Sequence, residues 1–271
     1  MNVSTPSTAA PSRGPLHGAG IVVTRPARQA AGLAAQLSAL GATPLVFPAI
    51  VILPPADRRT LERAHSALER YDIAIFVSAN AVEYGVPPID RWPARLHAFA
   101  PGPGTAAALV AAGVVDVTIP QTSFDSEGLL ALPALVDVAG CDVVIFRGEG
   151  GRDVLGEGLR ARGARVAYVE CYRRAAPASV ADGLVEALRE GRLHALTLTS
   201  SEGTDNLWRI LDVDARALLE RLPAFVPHPR IAEHARRLGL SAVATGGSDA
   251  GLIAGLLEWF ASHPPGHHGT P

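Results

Sequence analysis

Ten short runs rich in Val, Ile and other β-formers recur along the chain, and between them leucines and alanines fall at helical intervals. The runs are Ile21 to Thr24, Thr43 to Phe47, Asp72 to Val77, Leu96 to Ala100, Val115 to Ile119, Asp142 to Phe146, Arg165 to Val169, His194 to Thr199, Ala224 to Val226 and Ser241 to Thr245. Leu33, Leu37 and Leu40 show the intervening pattern, as do Val180, Leu184 and Leu188. Such alternation predicts an α/β fold built on parallel sheets, because parallel neighbours need a crossover that returns over the sheet face. Ten strands suit two five-stranded sheets better than one barrel.

The pattern also occurs twice. Arg25 corresponds to Arg147, Leu33 to Leu155, Leu37 to Leu159, Gly41-Ala42 to Gly163-Ala164 and Ser78 to Ser200, each at one offset (147 − 25 = 122, 200 − 78 = 122). Pro103 to Gly113 corresponds to Pro229 to Gly239 at a slightly larger one (239 − 113 = 126), as a short loop insertion would give. The chain therefore reads as internally duplicated, two diverged copies of one half.

Each copy runs on past its second strand through an extended stretch, Pro48 to Pro55 and Glu170 to Pro177, too apolar or β-prone for an ordinary loop. Paired antiparallel, residues 48–53 and 170–177 would form a two-stranded linker. The chain would then divide into a discontinuous α/β domain, 20–47 plus 178–262, and a second, 54–169. One domain per repeat fits the periodicity equally well. Residues 1–19 and 263–271, rich in Pro, Gly and small polar residues, read as disordered tails, and the histidines of the second lack a scaffold for a metal.

Composition narrows the chemistry. All 24 basic residues are arginines. The absence of lysine removes Schiff-base and pyridoxal enzymes and the Walker phosphate loop. A net charge of −2, with the arginines scattered, gives no footprint for nucleic acid. Cys141 and Cys171 form neither a CxxC pair nor a disulfide framework, which fits a cytoplasmic protein. Residues 1–19 hold no apolar segment of a secretion signal, and no apolar run approaches the ~18 residues of a membrane span.

In open parallel sheets, ligands bind beyond the carboxyl ends of the strands, where helix N-termini offer unpaired N–H groups to anions. Small, hydroxylic or basic residues stand at these ends: Thr24-Arg25-Pro26, Ser78-Ala79-Asn80, the loop Pro101 to Thr105, the loop Arg147-Gly148 to Arg152, and Thr199-Ser200. A single Ser or Thr there is most simply a helix cap. Its repetition in both halves favours a binding role, and Arg25, Arg147 and Arg152 suit a ligand rich in carboxylates. GPGTAA, at Gly102 to Ala107, is a weak dinucleotide signal, since alanine replaces its last glycine and no acidic residue follows Val115 to Ile119. No G-x-S-x-G elbow and no metal-spaced histidine cluster occurs. The profile is a site of backbone donors, hydroxyls and arginines, without a strong catalytic group.

The strings TRP (Thr24 to Pro26), SANAV (Ser78 to Val82), GPGTA (Gly102 to Ala106), SEGLLAL (Ser126 to Leu132), RGEGGR (Arg147 to Arg152), ECYRR (Glu170 to Arg174), LTSSEGTDNL (Leu198 to Leu207) and HPRIAEHARRLG (His228 to Gly239) resemble uroporphyrinogen-III synthase over residues 20–261. The resemblance implies two flavodoxin-like domains joined by the two-stranded linker. It implies cofactor-free, metal-free cyclisation of hydroxymethylbilane with loss of water and inversion of ring D. It also implies that Tyr172, at the cleft, helps the hydroxyl depart, since a phenol of pKa ~10 carries its proton at neutral pH.

By the same resemblance Ser78, Thr105 and Ser200 face the substrate. The position corresponding to Thr105 in the second copy is Ile231, so His228 and Arg230 are expected to contact a carboxylate there instead, beside Arg25, Arg147, Gly148 and Arg152. The expected partner is the bilane, with transient contact to the enzyme that makes it, and the expected state is a cytoplasmic monomer, with no nucleic acid and no membrane. The alternative is a non-catalytic two-domain receptor for an anionic small molecule.

Overall fold

The structure, a computed structural model, describes residues 14–86, 92–151, 153–177 and 181–265. Among them the strands are β1 (Gly20–Val23), β2 (Thr43–Val46), β3 (Val51–Leu53), β4 (Ile73–Phe76), β5 (His97–Phe99), β6 (Val117–Thr118), β7 (Asp142–Gly148), β8 (Arg165–Ala175), β9 (Ala195–Thr197), β10 (Pro223–Val226) and β11 (Ser241–Ala244). The helices are α1 (Ala27–Ala39), α2 (Arg59–Ser66), α3 (Ala79–Gly85), α4 (Pro103–Ala111), α5 (Ser126–Leu130), α6 (Val154–Ala161), α7 (Asp182–Arg189), α8 (Ser201–Ile210), α9 (Val213–Leu219), α10 (Pro229–Arg237) and α11 (Asp249–Ser262). All ten runs read from the sequence are strands.

The chain forms two compact units, one of residues up to Val51 together with those from Ala176 onward, the other from Ile52 to Ala175. The first holds a five-stranded parallel sheet in the order β11-β10-β9-β1-β2. Numbered along the chain, this is the flavodoxin-like order 2-1-3-4-5. Its central strands are buried throughout, as strands covered on both faces must be. Side-chain alternation divides the core: Val22 and Leu196 pack with α7 to α10, whereas Ile21, Val23 and Phe225 pack with α1 and α11.

The second unit holds six strands in the order β3-β8-β7-β4-β5-β6. Counted from β7, its five parallel strands β7, β8, β4, β5 and β6 repeat the order 2-1-3-4-5. Ala74, Phe76, Val144 and Phe146 face α2, α3 and α4, and Ile73, Ile75, Val143 and Ile145 face α5 and α6. Phe76 and Phe146 stack at 4.5 Å across β4 and β7. The helices before β2 and β8 end in the same way. Gly41 and Gly163 take φ of +92° and +86°, and Ala42 and Ala164 donate back to the carbonyls of Leu37 and Leu159 at 3.1 Å, a left-handed stop that favours glycine.

Ion pairs close the amino ends of the second sheet. Arg165 grips Asp142 through two bonds of 2.7 and 2.6 Å, and Arg95 meets Asp72 at 2.6 Å. The Asp142 N–H donates to Asp72 at 2.9 Å and, with Arg95, holds that carboxyl below the usual carboxylate range; Arg165 does the same to Asp142.

One expectation needs correction. The expected tail 1–19 is folded where it is described: Leu16 is fully buried against α1, and its N–H donates to Leu40 at 3.0 Å. A lone apolar side chain next to a strand has a core to enter, whatever its Pro- and Gly-rich neighbours. His263 likewise stacks on Trp259 at 4.0 Å, while residues 1–13 and 266–271 lie outside the described residues. The two stretches read as a linker, residues 48–53 and 170–177, contribute to neighbouring strands, β3 and the end of β8. No Gly or Pro interrupts the β-prone run RVAYVECYRRA, so β8 continues from Arg165 to Ala175, and β3 joins the sheet on its outer side.

Candidate active site

The strand orders fix where a ligand site belongs. In the first unit, successive connections turn in opposite directions from β1 and β9; in the second they do so from β7 and β4. Beyond the carboxyl ends of such strand pairs the flanking loops part and leave a crevice. Arg25 and Ser200 follow β1 and β9, and Gly148 and Ser78 follow or end β7 and β4.

In the second unit Ser78, Gly148 and Tyr172 come together. Ser78 caps α3, its Oγ accepting the N–H of Ala81 at 3.1 Å, and the same oxygen lies 3.2 Å from the Tyr172 hydroxyl. Tyr172 is only 5 % exposed, with Tyr84 tilted against it at 6.3 Å between ring centres. Gly148 pairs with Tyr172 across β7 and β8, and a Cβ there would stand 2.7 Å from the phenol ring. Thr105 is buried in the first turn of α4, behind Pro103 at the helix start.

Arg147 is not left waiting for a ligand. Its guanidinium bonds Asp153 at 2.6 Å, Glu170 at 3.3 Å and the Gly151 carbonyl at 3.1 Å, and lies 3.9 Å over the Tyr168 ring. A cavity of about 300 Å³ opens beside it, lined among others by Val77, Pro101, Phe124 and Ser126. Arg152 lies outside the described residues.

In the first unit Ser200 caps α8, accepting the Gly203 N–H at 3.0 Å. His228 occupies the cap position of α10 without making a side-chain cap bond, and Arg230 stands exposed in the first turn with no ion pair among the described residues. Arg25 is engaged, meeting Asp249 of α11 at 2.5 Å. A cavity of about 700 Å³ lies at the amino ends of β1, β2 and β9, away from all of these groups. The carboxyl ends remain the better site, because they gather the helix N-termini.

Three features escaped sequence reasoning. Thr24 and Thr197 bond across β1 and β9, Thr24 to the Thr197 carbonyl at 2.7 Å and Thr197 to the Val22 carbonyl at 3.1 Å. Arg173, next to Tyr172, buries an Nε that has no hydrogen-bond partner among the described residues. Cys171 is fully buried, and burial pushes its thiol up to about 12. Arg173 carried a signal as the first of the two arginines in ECYRR. Among the described residues no group of three or more His, Cys, Asp or Glu side chains is placed to hold a metal ion, and no helix is long and apolar enough to cross a membrane.

Fold and site together define a two-unit parallel α/β protein whose hydroxyls gather at the strand ends. A family model described as Uroporphyrinogen-III synthase HemD matches residues 31–254. The chain is 36 % identical over 226 residues to uroporphyrinogen-III synthase of Salmonella typhimurium, covering 81 % of this chain and 91 % of that one. Its identity to the same enzyme of Escherichia coli is 34 % over 226 residues, with the same coverage. The crystal structure of uroporphyrinogen-III synthetase from Helicobacter pylori matches with a TM-score of 0.57 at 15 % identity, covering 89 % of this chain and 99 % of that one, a likeness of fold. The chain belongs to the uroporphyrinogen-III synthase family.

Proposed function

We propose that the chain cyclises hydroxymethylbilane to uroporphyrinogen III, with Tyr172 as proton donor to the departing hydroxyl. The observation that carries this is the Tyr172–Ser78 hydroxyl pair at the carboxyl ends of β4 and β7, in a member of this family. The hydroxyl of ring A leaves as water with the phenol's proton, giving an electrophilic azafulvenium ion, the N-protonated azafulvene, beside the phenolate. The substituted carbon of ring D attacks it to form a spiro centre, which fragments and recloses with that ring inverted. The proton released when the last pyrrole regains aromaticity restores the phenol.

Nucleophile and leaving group both belong to the substrate, so the protein acts mainly by holding one folded conformation. Helix N-termini capped by Ser78 and Ser200, Thr105 at the start of α4, and His228 and Arg230 at the start of α10 are suited to the carboxylates. Arg25, Arg147 and Gly148 shape the strand ends that carry these groups. The proposal extends to a cytoplasmic monomer that meets the bilane-forming enzyme transiently.

The experiment is turnover of hydroxymethylbilane by the wild-type chain and by Tyr172→Phe. Wild type should consume it faster than spontaneous closure, and the variant should lose ~10²-fold in kcat, the low end for general acid catalysis, with folding intact. Unchanged turnover would remove Tyr172 from the mechanism.

A further inference from the structure

We propose that Cys171 and Gly148 are positioning residues for Tyr172: a bulge between β7 and β8 turns the phenol toward Ser78, and these two residues hold it there. This rests on the assignment of Tyr172 as proton donor, but its cause is geometric and can be read without turnover.

Residues of β7 and β8 pair one to one from Asp142 with Arg165 to Arg147 with Glu170; the next pair is Gly148 with Tyr172. Cys171 is therefore the extra residue. Neighbours on a regular strand point to opposite faces, which would send Cys171 and Tyr172 to different sides of the sheet. Both instead lie in one apolar cluster with Val169, Phe146 and Ala81. An inserted residue resets the alternation in this way, and bulges beside active sites commonly re-aim a side chain.

The contacts that hold the bulge lead back to the phenol. The Cys171 thiol lies 3.3 Å from the Arg147 carbonyl oxygen and 3.6 Å from that of Ala81 on α3, within reach of a weak donor. The Ala81 N–H donates to Ser78, and Ser78 meets Tyr172. A circuit thus runs from Cys171 through the first turn of α3 to the hydroxyl of its own neighbour. Gly148 completes the arrangement, since any side chain there would stand in the space of the ring.

The test uses the full chain labelled with ¹³C at the tyrosine Cζ. Four tyrosines give four signals, and the one lost in Tyr172→Phe is Tyr172. That signal should move in Gly148→Ala and in Cys171→Ala, and return close to its wild-type position in Cys171→Ser, whose hydroxyl can donate to the same carbonyls. In the first two variants kcat should fall about tenfold or more with KM within about threefold, because ~1 Å of misplacement can cost up to ~10²-fold.

A Tyr172 signal that stays in place in Cys171→Ala, or that moves equally in Cys171→Ser, would overturn the proposal. If Gly148→Ala does not fold, the two Cys171 variants decide it alone. If the signal moves as expected while Tyr172→Phe retains full turnover, positioning stands and the catalytic assignment falls.

Discussion

The hydroxyl of Tyr172 stands 3.2 Å from that of Ser78, and the same serine oxygen receives the N–H of Ala81. One side chain therefore ends a helix and holds a phenol. Ser200 makes the equivalent cap on α8 at 3.0 Å.

This difference separates structure from chemistry. Ser78→Ala and Ser200→Ala should each cost ~1 kcal/mol of stability, the usual loss for a helix cap. Only Ser78→Ala also frees the phenol, so its kcat should fall by at least about fivefold more than that of Ser200→Ala, as for loss of a ~1 kcal/mol hydrogen bond. Thermal unfolding and steady-state turnover measure the two effects; equal kcat losses would show that the Ser78–Tyr172 contact is idle.

The arginines should divide as well. Arg147 is bound on several sides and stacked on Tyr168, so Arg147→Ala should lower the melting temperature with little change in KM. Arg230 is exposed without an ion pair among the described residues, so Arg230→Ala should leave stability within about 0.5 kcal/mol, as surface changes do, and raise KM. The KM increase should shrink at high salt, because exposed charges are screened. A stable Arg147→Ala variant with a raised KM would restore that residue to substrate binding.

Acid should loosen the second unit first. Asp72 and Asp142 are held below the usual carboxylate range by the Asp142 N–H with Arg95 and by Arg165 respectively. Their contribution to stability is fully present above the unfolded carboxylate pKa of ~3.9 and is lost as pH falls through the lower folded values. Asp72→Asn and Asp142→Asn should flatten the acid limb of stability against pH, with a modest effect because both side chains are partly exposed. Urea unfolding from pH 7 to pH 3 reads the slope.

Much of the fold was legible because parallel strands buried on both faces must be almost wholly apolar, as β1, β4 and β10 are. Ser78 and Ser200 were visible for a similar reason, since a hydroxyl between a strand and a helix has a specific task. Strand order was beyond reach, because no local pattern says that β9 joins β1 or that β7 joins β4. The internal partners of Arg25 and Arg147 were hidden in the same way: Asp249 lies far along the chain, and Glu170 approaches only through the β7–β8 pairing. The bulge left no mark either, as nothing in ECYRR distinguishes an inserted Cys171 from an alternating one.

The most direct test is the isomer composition of the product. Purified chain incubated with hydroxymethylbilane, its porphyrinogens oxidised and separated by chromatography, should yield the type III isomer in excess over the type I isomer of spontaneous closure. Type I alone, at the spontaneous rate, would contradict the proposed function and favour a protein that binds the anion without transforming it.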